Sequence, residues 1–346
     1  MPLVATKIQN IRVKNPNLDK NENRTSEYGA LNFFMVQSEK APMLTEKMRE
    51  EAKNSAGKTL QVPVINYDGG ITISNARTCT VADAENTSAL VDVTFVTYAA
   101  GFTMTPSLYS NNDIDYEQDF IAKFKKTARL FGAALDSAAI AALEAAKTKV
   151  FADTIGYTET ADVIEVAAAQ KDNILGDIEP IMEANDFYGK VNIIGNTGIR
   201  SLLNHLTELG VYNEIDKTLE WANKEFHFTN RLSNADGKYA TFYAVEEGNV
   251  DLLYRYDREA ARGAQSADGN HQWDVINLPY VDIPVGLHYY ESVGDASAIA
   301  GAASADMTCV IKEHYGFSVD VAFVVAYNSD SAKLASPIIK AEIANA

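Results

Sequence analysis

From Thr59 the hydrophobic pattern has a period of two. Leu60, Val62 and Val64 alternate with Thr59, Gln61 and Pro63, which predicts a strand with one apolar face. Asp68-Gly69-Gly70 is a turn signal. Ile71 and Ile73 then alternate with Thr72 and Ser74, so the two runs predict a hairpin. Ala89 to Tyr98 is a third, β-branched run. Pro106 and Asn111-Asn112 break the chain, and the period changes to that of a helix. Asp113 or Asp115 suits its N-cap, and Glu117 and Asp119 suit its positive end. Phe120, Phe124, Phe131, Leu135, Ala138 and Ala142 fall on one stripe, which predicts one buried face. At ~1.5 Å per residue, a helix over residues 115–149 is about 50 Å long. Gly132 is the place for a slight kink.

The flanks are different in kind. Residues 1–30 are polar and rich in Asn, Lys and Glu, as in an extended arm. Residues 31–55 read as a short apolar anchor and then a helix, with Pro42 in its first turn and Thr45, Met48 and Ala52 on one face. After the long helix, a second helix is predicted from Asp162 to Asn185, with Ile164, Ala168, Ile174, Ile178 and Met182 inward and Pro180 bending its end. A short buried strand, Val191 to Ile194, follows. Asn196-Thr197-Gly198 is a capped turn into a helix, Ile199 to Leu209, closed by Gly210. The pattern is β again from Glu225 to Tyr256, with a loop at 233–237. Residues 257–306 read as long loops, Thr308 to Tyr327 as two strands about Gly316, and Pro337 to Ile343 as a final strand. The fold class is therefore α+β.

Charge adds one asymmetry. The net charge is −17, which argues against a nucleic-acid reader. Yet residues 1–58 carry ten Lys/Arg against seven Asp/Glu, while the rest carries 20 against 40. A basic arm on an acidic body can dock on the acidic surface of a sister subunit, or simply be solvated. No apolar run reaches the ~18 residues of a membrane span, and the N-terminal residues show no signal-peptide pattern. Cys79 and Cys309 suit two free thiols of a reducing compartment, with a disulfide as the alternative.

Catalytic chemistry leaves no pattern. His205, His227, His271, His288 and His314 form no HExxH, and no two share an i, i+4 face. His227 alternates with Phe226 and Phe228, as a half-exposed structural histidine would. There is no GxSxG; Cys309 sits in an apolar strand and Cys79 in a polar stretch with no predicted His partner. Gly195-Asn196-Thr197-Gly198 lies between strand and helix but lacks the P-loop Lys, so it reads as a capped turn. Asp251, Asp257 and Asp268 make no calcium loop. Lys123, Lys125 and Lys126 solvate the outer face of the long helix. The expectation is no enzyme, no catalytic residue, no cofactor and no metal.

What remains is an order of elements: arm, two-stranded excursion, long helix, α/β block, closing strands. That order resembles the HK97-type major capsid proteins of tailed bacteriophages. The resemblance covers nearly the whole chain and is carried by DIDYEQDFIAKFKKTARLFGAALDSAAIAALEAA, KVNIIGNTGIRSLLNHL, TFYAVEEGNVDLLYRYD and VIKEHYGFSVDVAFVVAYN…SPIIKAEI. It implies an N-terminal arm at 1–58, an extended β-hairpin E-loop at 59–112, a spine helix in a P domain made of 113–154 and 251–346, and an α/β A domain at 155–250. The closing strand would rejoin the P domain. The implied function is an icosahedral shell of pentamers and hexamers that encloses double-stranded DNA without sequence-specific binding. The implied partners are portal and scaffolding proteins and a possible decoration protein, with no membrane. The implied location is the virion capsid, assembled in the host cytoplasm. Lys58 borders the E-loop, but Asp306 to Glu313 has no Asn for an isopeptide partner, so no cross-link is expected. The alternatives are another self-assembling shell or a surface-layer protein, or an α/β enzyme with an unrecognised site.

Overall fold

The computed structural model describes residues 28–54, 57, 59–66, 87–109, 113–147, 154–185, 187–206, 211–213, 218–221, 224–279, 281, 283–294, 310–326 and 337–345, with Ile8 and Asn10. The turn at Asp68-Gly69-Gly70, the run Ile71–Ser74, Lys58, Cys79, Cys309, Gly210 and most of residues 1–30 lie outside the described residues, as do the side chains of Asp113, Asp115 and His205.

Two compact units emerge, and the chain passes between them several times. The first contains 96–135 and 254–321; the second contains 26–95, 136–253 and 322–346.

In the first unit, β3 (Val96–Met104), β12 (His271–Asn277), β13 (Pro284–Gly294) and β14 (Val310–Val325) build most of a five-stranded antiparallel sheet, with β11 (Val250–Arg255) beside β14. β14 was expected as two strands about Gly316. It is one strand of 16 residues that runs through the glycine without a break. Gly316 lies opposite Gly101 on β3, and a Cβ on Gly101 would sit 2.6 Å from the Tyr315 carbonyl oxygen. The 257–306 stretch, expected as long loops, holds β12, β13 and a short helix, α6 (Arg258–Arg262).

The long helix, α3 (Asp113–Ala146), has 34 residues. Its first part packs aromatic side chains on the sheet: Phe120 and Phe124 stack on each other and meet Phe102, Tyr315 and Phe317 edge-on. The stripe runs Phe120, Phe124, Ala128, Phe131, Leu135, Ala139, Leu143. Its C-terminal end is therefore rotated by one residue from the expected Ala138 and Ala142, which are only half-buried. The larger Leu143 takes the inward position.

The second unit is an eight-stranded mixed sheet between two helical layers. The order is β4 (Thr158–Thr160), β5 (Val163–Val166), β15 (Ile338–Ala344), β10 (Lys238–Glu246), β6 (Val191–Gly195), β9 (Lys224–Phe228), β8 (Thr218–Trp221), β7 (Val211–Asn213). One face carries Val191, Ile193, Phe226 and Ile339 against helices α4 (Ile174–Ala184) and α5 (Thr197–Leu206). The other face meets α1 (Gly29–Lys40) and the end of α3: Phe33 lies edge-on to His227, and Tyr243 donates to Glu144.

Two expectations change here. Residues 162–185 are not one helix. Val163, Ile164 and Val166 form β5, reached through a turn in which Ala161 and Asp162 have φ of 50 and 68 degrees, and the helix starts only at Ile174. The four-residue spacing of Ile164 and Ala168 fits a helix, but a β-branched run edged by a tight turn fits a strand better. The closing strand also has a different place from the one the resemblance implied. β15 runs parallel to β5 and antiparallel to β10, inside the eight-stranded sheet. Its alternation of Ile339, Ala341 and Ile343 with Lys340 and Glu342 fills that sheet's core on one face.

Candidate functional site

The third sheet has two strands. β1 (Thr59–Asn66) and β2 (Thr87–Thr94) pair antiparallel over eight residues, from Thr59↔Thr94 to Asn66↔Thr87. At ~3.3 Å per residue this is about 26 Å of ribbon. Among the described residues neither strand pairs with a third. Thr59, Gln61, Asp92 and Thr94 are exposed. Such a ribbon offers backbone donors and acceptors along its outer edges to another chain.

Its base is clamped. The run Ala89–Tyr98 was expected as one strand, but it divides at Phe95: β2 belongs to the ribbon and β3 to the five-stranded sheet. Val93 and Phe95 are buried with Leu44, Ala52, Leu253, Ala322 and Val324, and Met43 and Met48 pack against this cluster. Met48 and Ala52 lie on α2 (Glu46–Asn54), so the predicted face of that helix closes over the ribbon's root.

A buried acid ties the same region together. Asp251, on β11, is fully buried. It accepts from the backbone N–H of Leu44 at 3.1 Å, from its neighbour Leu252 at 2.8 Å and from the Ser38 hydroxyl at 2.8 Å. The Arg49 guanidinium pairs with it at 2.6 Å. Four segments thus converge on one carboxylate: the end of α1, the loop after it, α2 and β11. A charge this deep is tolerated because cation and hydrogen bonds together replace its water.

The chemistry-bearing residues resolve into structural roles. Asn196 caps α5, its Oδ1 accepting from the N–H of Gly198 at 3.1 Å and of Ile199 at 3.4 Å. A Cβ on Gly198 would lie 2.5 Å from the Tyr239 carbonyl oxygen, so the turn is closed by packing against β10. His227, expected half-exposed, is fully buried under Phe33. The cause is α1, which covers that face of the sheet. Lys123 pairs with Asp119 at 2.8 Å. Burial alone would raise the Asp119 carboxyl, but hydrogen bonds from Lys123 and Tyr109 outweigh it and hold it low. Tyr315 is pushed up, first by burial and then by Glu313, so its phenol remains a donor to that carboxylate at 3.0 Å. Among the described residues no group of three His, Cys, Asp or Glu is placed to hold a metal ion. No described helix is long and apolar enough to cross a membrane.

Sequence reasoning missed two things. Asp136 is a buried acid on a helix whose stripe is otherwise apolar. Three of the five histidines, His271, His288 and His314, come together on one sheet face. Only cross-strand register, which local periodicity does not carry, brings the latter into contact.

No protein-family model matches the chain, and no curated protein matches it. Among solved structures it is similar to the capsid structure of the Cyanophage P-SCSP1u, at 12% identity and a TM-score of 0.44 over 84% of each chain. It is also similar to a chain from Mycobacterium phage Che8, at 7% identity and a TM-score of 0.44 over 87% of this chain and 89% of that one. A third is the capsid of an empty GTA particle, at 11% identity and a TM-score of 0.42 over 87% and 90%.

Proposed function

We propose that this chain is a structural major capsid protein of the HK97 type, which self-assembles into an icosahedral shell around double-stranded DNA. One observation carries the reading: an eight-pair β-ribbon, paired with no third strand among the described residues, rises from a buried clamp of Val93, Phe95 and Asp251. A two-stranded ribbon is marginal by itself, whereas a lattice gains a strap that lies over a neighbour. Residues 59–112 serve as the E-loop, 1–58 as the arm, 113–154 and 251–337 as the P domain, and 155–250 as the A domain, whose sheet the C-terminal strand completes. Closed shells need heterologous contacts that close on themselves, and pentamers and hexamers supply them. Portal, scaffolding and decoration proteins are the expected partners, the virion capsid the location, and the host cytoplasm the place of assembly. The protein has no catalytic role.

The test is negative-stain microscopy with light scattering on the purified chain, beside a variant in which a short Gly-Ser linker replaces residues 62–91. Closed particles, or capsomers that close with scaffold, support the reading, provided the variant folds and stays unassembled. A wild-type chain that remains a monodisperse monomer under all conditions sinks it.

A further inference from the structure

The face of the five-stranded sheet opposite Tyr289, Tyr315 and Phe317 carries a band of rings. Register puts His271 on β12 across from Tyr290 on β13, Tyr290 across from His314 on β14, and Trp273 across from His288. Trp273 stacks on His288 at 4.7 Å between centroids, and Tyr290 on His314 at 4.3 Å. His314 is held on both sides, by the Ser292 hydroxyl at 2.8 Å and the Thr103 hydroxyl at 3.0 Å.

The contact that decides the chemistry is between two histidines. His271 Nδ1 lies 3.1 Å from His288 Nε2, with centroids 5.3 Å apart and planes 15 degrees apart. Those values describe two imidazoles meeting edge to edge, nearly coplanar, with the two nitrogens aimed at each other. Among the described residues no third His, Cys, Asp or Glu joins this pair to hold a metal ion. A single proton fits: one ring donates N–H and the other accepts. When both rings are protonated, N–H faces N–H and two cations meet with no acceptor between them.

We propose that the His271–His288 pair is an acid-sensitive latch, which holds β12 to β13 while the two rings share one proton and releases that contact when both are charged. β12 is the last of the strands in the sheet order, so it can loosen without unpairing β13 from β14. The surroundings set the threshold. Asp268 lies in the turn before β12, and Asp257, before α6, favours a charged His288. Lys312 on β14 opposes a charge on His314. Arg258, Glu259 and Arg262 of α6 are exposed to solvent, and Ser292, Thr103, Trp273 and Tyr290 bring no charge. Burial first, and His271 second, hold His288 below the ordinary histidine value. The unfolded strand therefore takes up its proton first as pH falls through about 6.5. The latch is intact above that pH and is lost progressively below it. The inference does not depend on the shell reading.

Hydrogen–deuterium exchange of the full chain at pH 7.5 and 5.5, corrected for intrinsic rates, tests it. Residues 271–277 should exchange up to about tenfold faster at pH 5.5, the most that uptake of one linked proton can supply over the one pH unit below 6.5, while β6 and β10 stay protected. The His271→Gln/His288→Gln variant should lose that pH dependence. Equal protection of β12 at the two pH values, or an unchanged pH dependence in the variant, overturns the proposal. Should the variant fail to fold, side-chain NMR titration of the wild-type chain decides. Two coupled steps, the second well below the first, support the latch, and two independent steps near the ordinary value overturn it.

Discussion

The Asp136 carboxylate, on the long helix, accepts the backbone N–H of Leu31 at 2.9 Å. Leu31 is the third residue of α1, so an acid on one helix caps the N-terminus of another, where the donors have no partner within their own helix. The Thr229 hydroxyl donates to the same carboxylate. Asp136→Ala orphans both donors and should cost about 2–6 kcal/mol at ~1–3 kcal/mol for each buried, unsatisfied group. Asp136→Asn keeps an acceptor for Leu31 and should stay within about 1 kcal/mol of wild type. Burial raises the Asp136 carboxyl above its ordinary value despite the Thr229 and Leu31 hydrogen bonds. The folded chain thus holds this proton when the unfolded chain has lost it, and that contribution fades as pH rises from about 3.9. The Asn variant cannot titrate, so urea melts should show it gaining on wild type between pH 4 and pH 7.

The Arg49–Asp251 pair makes a second, sharper case. Its acid is fully buried and its base is a quarter exposed. Removing the cation leaves a buried charge that three hydrogen bonds must hold alone. Arg49→Ala should therefore cost about 3 kcal/mol, the low end for a broken buried pair because Arg49 is partly solvated. Thermal unfolding would measure it, and a change below about 1 kcal/mol would show that the hydrogen bonds suffice.

The elements legible in the sequence were those with one clean period: the long helix, the strand at Val191, the capped turn at Asn196 and the last strand. Where the reading failed, two periods fitted the same residues or a glycine had two meanings. Ile164 and Ala168 suit a helix, but Val163, Ile164 and Val166 pair as a strand. Gly316 reads as a break, yet β14 runs through it without interruption. The ribbon's root was hidden because Phe95 belongs to an unbroken β-branched run, and only the partner of each half, β1 or β14, separates them. The polar hubs were hidden for a different reason. Asp136 meets Leu31 and Thr229 across 105 and 93 residues, and Asp251 meets Arg49 across 202.

Gly101 and Gly316 face each other across β3 and β14 but are not equivalent. A methyl group on Gly101 meets the Tyr315 carbonyl at 2.6 Å, whereas one on Gly316 has its nearest neighbour, the His288 oxygen, at an ordinary 3.5 Å. Gly101→Ala should lower stability by about 1–3 kcal/mol, the usual penalty of overpacking. Gly316→Ala should be near neutral. Matched denaturation curves test the contrast, and equal effects would refute it.

An acidic surface suits a container. At a net −17 the chain would repel phosphate, so that in the proposed shell enclosed DNA would stay free of the wall. Purified chain should bind duplex DNA negligibly at physiological salt in a gel-shift titration. Tight binding that persists as salt rises would contradict the proposed role.

Phe95 joins the clamp to the ribbon, so it should link stability to assembly. It is 2% exposed, packed in the cluster that holds Val93 and Leu44. Phe95→Ala removes a large buried side chain and should cost about 3–5 kcal/mol of global stability. If the cluster only fills space, loss of stability is all that follows, and particles still form wherever the chain is folded. If it aims the ribbon, folded Phe95→Ala chain should assemble poorly even at low temperature, where it is fully native. The conservative Phe95→Leu should recover most of both properties. Light scattering at a temperature where circular dichroism reports a native spectrum separates the two. Normal assembly of folded Phe95→Ala would show that the ribbon finds its neighbour without a fixed root.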